Sequence, residues 1–211
     1  LTTIHAPLIM NGYYGWNTSI NIQNTSDQPA NITIYYYKTN GTAAKDTPTT
    51  ATIPAYASRS YYSPNEGLPS SFIGTAKISA NRNIAVAVNQ STTNGARGLS
   101  YSGSLTGSGA VVVPDIVNKW GSASWVSSVN VRNLGTSSDA VLIDFNGTSF
   151  SWNVNAGGMK SVYIPDYWGT QSLRGPAFVW TQSGQPIGVV VNQSSSIATN
   201  DYARSFNGLN R

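Results

Sequence analysis

The amino-acid sequence predicts an all-β protein of two tandem immunoglobulin-like β-sandwich domains related by internal duplication. Three observations predict it: a repeated template, apolar residues with a period of two, and Asn-Gly turns between the apolar runs. The template is clearest where Trp16–Asn24 matches Trp125–Asn133, and Ile84–Ser91 matches Ile187–Ser194 in the same way. Self-similarity over segments of this length indicates two structural units of one fold.

Alternation identifies the individual strands. Along Trp16–Asn24 the residues Trp16, Thr18, Ile20 and Ile22 alternate with polar residues, and the second copy repeats the alternation. This pattern places one set of side chains on a buried sheet face and the other towards solvent. Trp16 and its counterpart in the second copy are therefore expected to anchor the two cores.

Asn-Gly pairs mark turns after the next strand in each copy. The predicted strands Asn31–Tyr37 and Ala140–Phe145 are followed by Asn-Gly-Thr, at Asn40–Thr42 and Asn146–Thr148. Asn and Gly both tolerate a positive φ, so the pair predicts a hairpin in each copy.

The remaining strands recur about 8–12 residues apart, a spacing typical of a two-sheet β-sandwich. Helix is expected only as single turns near Asn65–Ser71 and Tyr167–Leu173. The remaining predicted strands are Thr50–Ile53, Arg59–Ser63, Thr75–Ala80, Ile84–Gln90 and Leu99–Gly103 in the first copy, then Phe150–Val154, Ser161–Ile164, Pro176–Thr181, Ile187–Gln193 and Tyr202–Asn207 in the second.

The template sets the domain limits. Residues 1–105 are predicted to form the first β-sandwich repeat and residues 110–211 the second, with a glycine-rich link at about 104–109. Each unit is long enough to bury a core without metal or disulfide support. The chain starts almost directly in strand-like sequence, so we expect a mature extracellular chain whose leader has been removed, or a segment of a longer array.

Charge is scarce in this chain. Only 9% of the residues are charged and the net charge is +4, against roughly 25% charged residues in ordinary soluble domains. The basic residues are scattered singly, so no nucleic-acid partner is expected. No apolar stretch approaches the roughly 18 residues of a membrane span, so no membrane insertion is expected either.

The residues needed for catalysis are thinly spread. There is no cysteine and one histidine, His5, and no Gly-x-Ser-x-Gly motif accompanies it. A catalytic triad needs an imidazole beside an activated nucleophile, so we expect no enzyme and no cofactor. Glu66 and Asp166 lie in matching loops and are weak candidates for a single cation site, since calcium prefers clustered oxygen ligands.

Loop aromatics are the stronger candidates for binding. Exposed aromatic rings can stack on sugars or form a protein interface. Two of them, Trp120 and Trp168, align with no aromatic residue of the first copy, which counts against a lectin with two equal pockets. The candidates are Tyr13, Tyr14, Trp120, Tyr167 and Trp168.

Asn-x-Ser/Thr sequons are frequent in this Asn-rich chain. In a secreted protein they are candidate glycosylation sites. They occur at Asn17, Asn24, Asn31, Asn40, Asn89, Asn146 and Asn192.

The template resembles the tandem β-sandwich repeats of secreted bacterial cell-surface proteins, a likeness at the level of the fold pattern. The resemblance implies extracellular display and brings no catalytic residues with it. It is carried by Pro7, Trp16, Asn24, Gly74, Ala76, Asn89 and Gln90, with Pro114, Trp125, Asn133, Gly175, Ala177, Asn192 and Gln193 in the second copy.

Two functions follow as expectations. The first is a non-enzymatic structural subunit of an extracellular filament, layer or adhesive array, a homopolymer assembled through sandwich faces and edge strands. Low charge weakens repulsion between copies, and edge strands can pair with neighbours. The alternative is a carbohydrate-binding module or lectin that uses loop aromatics and Asn or Asp side chains on glycans, with avidity from the duplication.

Overall fold

The computed structural model describes residues 1–195 and 203–211 and is an all-β, β-sandwich-like fold, as predicted. We call residues 1–105 the first half and the rest the second half. The strands of the first half are β1 Thr2–Tyr13, β2 Trp16–Asn24, β3 Ala30–Lys38, β4 Thr49–Ile53, β5 Ser58–Tyr62, β6 Phe72–Ala80, β7 Ile84–Thr92 and β8 Gly98–Ser102. Those of the second half are β9 Ala110–Asn118, β10 Trp125–Asn133, β11 Asp139–Phe145, β12 Thr148–Val154, β13 Met159–Tyr163, β14 Leu173–Thr181, β15 Ile187–Ser195, β16 Ala203–Asn207 and β17 Leu209–Asn210.

Strand order is the same in both halves. In the first half the antiparallel order is β4-β3-β6-β1-β2-β7-β8, with β5 on the free side of β2. In the described part of the second half, the order is β12-β11-β14-β9-β17 in one sheet and β13-β10-β15-β16 in another. Strands β9 to β16 therefore take the places of β1 to β8. The register agrees as well. His5 of β1 lies opposite Lys77 of β6, and their equivalents in the second half, Val112 and Phe178, also lie opposite each other.

Each half has its own hydrophobic cluster within the described residues. Ile20 and Ile22 of β2 pack with Ile34 and Ile78 of β3 and β6, so the sheet of the first half folds over on itself. The cluster of the second half is built around residues such as Val129. Burial of such side chains between the packed sheets is the main stabilising contribution to each half.

Matching polar side chains satisfy matching buried carbonyls. Asn24 Nδ2 donates to the carbonyls of Gln28 (2.7 Å) and Ile53 (3.1 Å), and Asn133 Nδ2 makes the equivalent bonds to the second half's turn and edge strand. The Asn-Gln pairs act in the same way, since Gln90 Nε2 points to Leu8 O and Gln193 Nε2 to the equivalent carbonyl of β9. Buried carbonyls need such partners, which explains why the template carries these amides.

The faces that point away from the cores also match. We call the outward side of β5, β2, β7 and β8 the β2–β7 face, and that of β13, β10, β15 and β16 the β10–β15 face. The ladders place seven identical pairs on them: Ser19/Ser128, Asn21/Asn130, Ser60/Ser161, Tyr62/Tyr163, Asn89/Asn192, Ser91/Ser194 and Ser100/Ser205.

Turns depart from the sequence expectation in the first copy. Asn146 and Gly147 have φ of 54° and 73° and join β11 directly to β12 as a tight hairpin. Asn40 and Gly41 instead begin the longer loop between β3 and β4. Gly41 is needed for another reason, because a Cβ there would overlap the carbonyl of Ala156 in the second half.

The single helical turns begin earlier than the sequence analysis placed them. They span Ser63–Asn65, a 3₁₀ turn, and Ile164–Trp168, which we call α1. Each has a proline in its first turn, where the missing N–H costs nothing, and the sequence reading overlooked this start signal. The strand predicted at 202–207 is described from Ala203, and residue 202 lies outside the described residues.

Candidate functional site

The two halves pack side by side, with the β10–β15 face against the first half. Consecutive residues of β10 from Val129 to Asn133 are all buried. Because neighbouring side chains of a strand point to opposite faces, both faces of this sheet must be covered. Val129 belongs to the cluster of the second half, whereas Val190 on β15 packs with the cluster of the first.

Arg132 is the central residue of this junction. It is 2% exposed, its guanidinium donates to the carbonyl of Ala76 on β6, and its charge lies 5.2 Å from the ring centre of Tyr37. Its Nε has no hydrogen-bond partner among the described residues. Burial lowers the pKa of the guanidinium to about 10, since desolvation disfavours the charged form.

His5 lies in the same junction. Burial lowers the pKa of its imidazole to about 4, and the charges of Arg132 and Lys77 contribute to the lowering. Its Nδ1 is buried without a partner within the described ranges. A largely buried, neutral imidazole fits a packing role at the junction.

Hydrogen bonds between the halves continue on both sides of Arg132. Asn192 Nδ2 donates to Gln90 Oε1 at 2.7 Å, so the Asn-Gln pair of one copy binds that of the other. The backbone N–H of Met159 donates to Thr39 O at 2.9 Å. The halves are thus held in one arrangement by buried polar contacts as well as by apolar packing.

A cleft of about 670 Å³ opens along this junction. Its wall from the first half is largely apolar and aromatic, and its wall from the second half is the polar β10–β15 face. The first wall includes Leu8, Met10, Tyr13, Tyr14, Trp16, Ile73 and Leu99. The second includes Ser128, Asn130, Ser161, Asn192 and Ser194, with Lys160, Tyr163, Asp166 and Tyr167 around them.

The cleft contains two exposed tyrosine rings, Tyr14 and Tyr163, and two half-buried ones, Tyr13 and Tyr167. Tyr13 and Tyr14 meet edge to face with ring centres 4.7 Å apart, and Tyr14 is 86% exposed. Burial raises the pKa of Tyr13, and the neighbouring Tyr14 raises it further. Burial also raises the pKa of Tyr163, and the charge of Asp166 adds to the effect. These rings offer apolar faces together with hydroxyl groups that donate and accept.

Asn130 leaves one acceptor unused within the wall of the cleft. The residue is 1% exposed, and its Nδ2 donates to the carbonyls of Ser128 and Val190, both at 3.3 Å. Its Oδ1 is buried and has no partner among the described residues. An unpaired buried acceptor is unfavourable until a donor reaches it.

The structure brings part of the predicted binding set together. Tyr13, Tyr14, Tyr167 and Asp166 all line the cleft. Trp168 does not, because it is 7% exposed within the second core and its Nε1 donates to Phe145 O at 3.0 Å.

Trp120 lies elsewhere, 41% exposed on the β9–β10 turn and outside the lining of the cleft. Its backbone pairs with Trp125 as that of Tyr13 pairs with Trp16. Trp120 therefore does have an aromatic counterpart in the first copy, Tyr13, which the template obscures because the turn lengths differ. Trp16 and Trp125 are half-buried, so neither is the fully buried core anchor that alternation suggested.

The weak cation candidates lie apart and in different surroundings. Glu66 accepts from Thr49 Oγ1 at 2.6 Å and lies 4.0 Å from Lys45 Nζ, whereas Asp166 is exposed beside the cleft. Among the described residues, no group of three or more His, Cys, Asp or Glu side chains is placed to hold a metal ion.

The sequon asparagines divide by burial. Asn17 and Asn24 are buried, and Asn192 is occupied by its bond to Gln90. The others are exposed, at Asn31, Asn40, Asn89 and Asn146. Glycosylation at any of them stays a prediction.

Several residues of the cleft were not predicted as site residues. Trp16 and Asn130 were assigned to strands, and Lys160 and Tyr163 carried no signal of their own. Alternation could have placed Asn130 and Tyr163 on one outward face, but not beside the first half. That proximity depends on the packing of the halves, which no local pattern encodes.

Comparisons with known proteins give a limited likeness. No protein-family model matches the chain, and no curated protein matches it. One similar solved structure is the crystal structure of Thermotoga maritima 1070, at 18% identity and a TM-score of 0.42, covering 49% of this chain and 92% of that one. Another is the Anabaena sensory rhodopsin transducer, at 19% identity and a TM-score of 0.33, covering 40% of this chain and 90% of that one. Overlaps of this size assign no function. No helix in the described part of the chain is both long and apolar enough to cross a membrane.

Proposed function

We propose that the chain is a binding module whose cleft takes a neutral oligosaccharide. The single observation behind this proposal is the opposition of an aromatic wall to a wall of hydroxyl and amide groups across about 670 Å³. A pyranose ring has apolar C–H faces, which complement the aromatic wall, and a rim of hydroxyl groups, which complements the polar wall. The volume is within the usual range for small-molecule sites.

Charge favours a neutral ligand. Lys160 and Asp166 are of opposite sign and both line the cleft, whereas the rest of its lining is uncharged. A strongly anionic ligand would be repelled by Asp166 and would find one cation to meet it. Uncharged hydroxyl groups can instead use Ser128 and the Oδ1 of Asn130, which has no partner among the described residues.

We also propose the finer fold assignment: two tandem immunoglobulin-like β-sandwich domains, residues 1–105 and 110–211. The equal strand order and the equivalent registers of the halves support it. Expression of residues 1–105 alone tests whether the first unit folds by itself, and a spectrum typical of an unfolded chain would argue against it.

The binding proposal is tested by screening the intact chain on a glycan array, followed by titration calorimetry with the best neutral oligosaccharide. Saturable binding with chemical-shift changes at cleft residues is expected. An absence of binding to any neutral glycan at millimolar concentration would remove the proposal.

A second candidate function is a structural subunit of an extracellular filament, layer or adhesive array. Strand β12 favours it: its seven residues carry no charge, and within the described residues it pairs only with β11. An unguarded edge of this kind can accept a strand of another chain. Electron microscopy and light scattering over a wide concentration range test it, and a monomer throughout would contradict it.

A further inference from the structure

The junction between the halves shows how one repeat receives the next. The β10–β15 face packs onto the outward side of β1 and β6 and onto Tyr37 of β3. We call the whole outward side of β4, β3, β6 and β1 the β6 face. Pro7 and Thr75 of the β6 face are buried there, and Gly188 of β15 lies against Pro7. This contact is an example, within one chain, of two faces that fit.

Each partner in this contact has a counterpart that remains uncovered in the described residues. The β2–β7 face matches the β10–β15 face at seven identical positions, yet its Asn89 and Ser91 are exposed. The counterpart of the β6 face is the outward side of β12, β11, β14 and β9, which we call the β14 face. Its Pro114 and Pro176, the equivalents of buried Pro7 and Thr75, are exposed.

We propose that the β2–β7 face of one molecule docks on the β14 face of a second copy of this chain. The inference rests on the proposed role as an assembling subunit and names the surfaces that role would use. It repeats between molecules the contact already made within one. Since the two faces differ, the contact is head-to-tail and leaves a free face at each end, so addition can continue into a filament.

The β14 face is apolar enough to act as the receiving surface. Phe178 is 45% exposed, and Trp180 beside it is partly exposed, where the β6 face has Lys77 and Ser79. Adjacent exposed aromatic rings give this face apolar surface of the kind that protein interfaces use. Lys77 and Ser79 are half-buried at the internal junction, so the repeated contact would cover these two rings in part and add hydrophobic stabilisation.

Charge does not oppose the contact. Gln23 occupies on the β2–β7 face the place of Arg132, so docking would bury a neutral amide. The second half carries an ion-pair group of Asp115, Arg174 and Arg204. These residues are the equivalents of Leu8, Ile73 and Leu99, which line the cleft at the internal junction. In the repeated contact these charges would line the open cleft and stay hydrated.

Two face variants of the intact chain test the proposal by sedimentation velocity. Pro176→Lys places a charge on the β14 face at the position equivalent to buried Thr75, and Ala87→Arg places a charge on the exposed β2–β7 face at the position equivalent to buried Val190. Wild type is expected to form concentration-dependent oligomers, and each variant alone should remain monomeric. Their equimolar mixture should form a dimer and nothing larger, because it contains one intact copy of each face.

Controls separate this contact from other routes to assembly. Leu105→Lys changes a 63% exposed apolar residue of the link and should assemble as wild type does. Pro114→Lys, at the position equivalent to buried Pro7, and Ser91→Arg are a second pair for the same faces should either first variant fail to fold by circular dichroism. If wild type assembles and the face variants assemble equally well, the docking proposal is wrong while the subunit role stands; if wild type is monomeric up to millimolar concentration, both are wrong.

Discussion

Asn192 Nδ2 donates a 2.7 Å hydrogen bond to Oε1 of Gln90, which joins the Asn-Gln pairs of the two repeats. Gln90 is 1% exposed and its Nε2 points to Leu8 O, so the bond connects the second half to the interior of the first. The equivalent oxygen on Gln193 accepts from Arg204 instead. The equivalent glutamine side chains of the two repeats therefore have different partners: Gln90 accepts from the other repeat, and Gln193 accepts from Arg204 of its own repeat.

Replacement of this amide should weaken the junction. Asn192→Ala leaves Gln90 Oε1 buried without that donor, and we expect the free energy of unfolding to fall by about 1–3 kcal/mol. Asn89→Ala is the matched control, because Asn89 is the same residue at the same ladder position on the exposed β2–β7 face, and a change within about 0.5 kcal/mol is expected. Urea denaturation in dilute solution measures both, and equal losses would contradict a role in the junction.

His5 should make stability depend on pH in a defined window. Its pKa is about 4 in the folded protein, against the ordinary value of 6.5 that applies to the unfolded chain, so between these values the unfolded chain binds more protons than the folded one. Stability is therefore complete above about pH 6.5 and falls as the pH drops towards 4. Because His5 is partly exposed, we expect a loss on the order of 1–2 kcal/mol.

The variant His5→Val, which copies Val112 of the second repeat, should flatten this part of the curve. The bonds from Ser183 and Gln185 lower the pKa of Asp139 despite its burial, so this carboxyl titrates on the acid side of the His5 window in both proteins. Thermal denaturation from pH 4 to 8 provides the measurement. An unchanged slope in the variant would assign the effect to another group.

A comparison of two exposed tyrosines, one in the cleft and one outside it, tests whether the cleft binds the ligand. Tyr14 and Tyr56 are 86% and 66% exposed, and both have a positive φ, of 46° and 57°. Tyr14→Ala should weaken oligosaccharide binding about three- to tenfold, because a stacking surface is lost from the cleft. Tyr56→Ala lies outside the lining and should leave the Kd unchanged. Calorimetric titration of the two variants decides the matter, and equal effects would place the ligand elsewhere.

Two tryptophans that the sequence treats alike should behave differently. Trp168→Ala removes a ring that packs against Phe145 and Phe150 and bonds to a buried carbonyl, and a loss of about 3–5 kcal/mol is expected. Trp120→Ala removes a ring that is 41% exposed, and a much smaller loss is expected. Guanidinium denaturation compares them. A similar loss in both would mean that Trp120 also supports a core.

Much of the architecture could be predicted because its signals are local. The period of two along β2 and β10 marks the buried side of each strand, and the duplicated template gives both halves the same strand order. Asn146-Gly147 also behaved as its chemistry predicts, since both residues adopt the positive φ that a tight hairpin needs. Asn40-Gly41 did not, because Gly41 lies against Ala156 of the other half and its loop is shaped by that contact.

The cleft was less predictable because its walls come from different halves. Tyr13 and Tyr14 could be singled out as loop aromatics, but nothing in their neighbourhood indicates the polar wall that faces them. Asn130 gives the clearest case: alternation predicts an ordinary outward residue of a strand, and the residue becomes part of the cleft only after the halves pack.

By itself the sequence determined that this chain forms antiparallel strands in two matching sets, and which side of each strand enters a core. Tertiary structure alone decided which outward face is covered. Asn21 and Asn130 occupy equivalent ladder positions and make equivalent bonds to the neighbouring strand, yet Asn130 is 1% exposed and Asn21 faces solvent in part. The physical reason is that alternation fixes a side chain's direction within its own sheet, whereas its burial depends on what packs against that sheet from elsewhere in the chain.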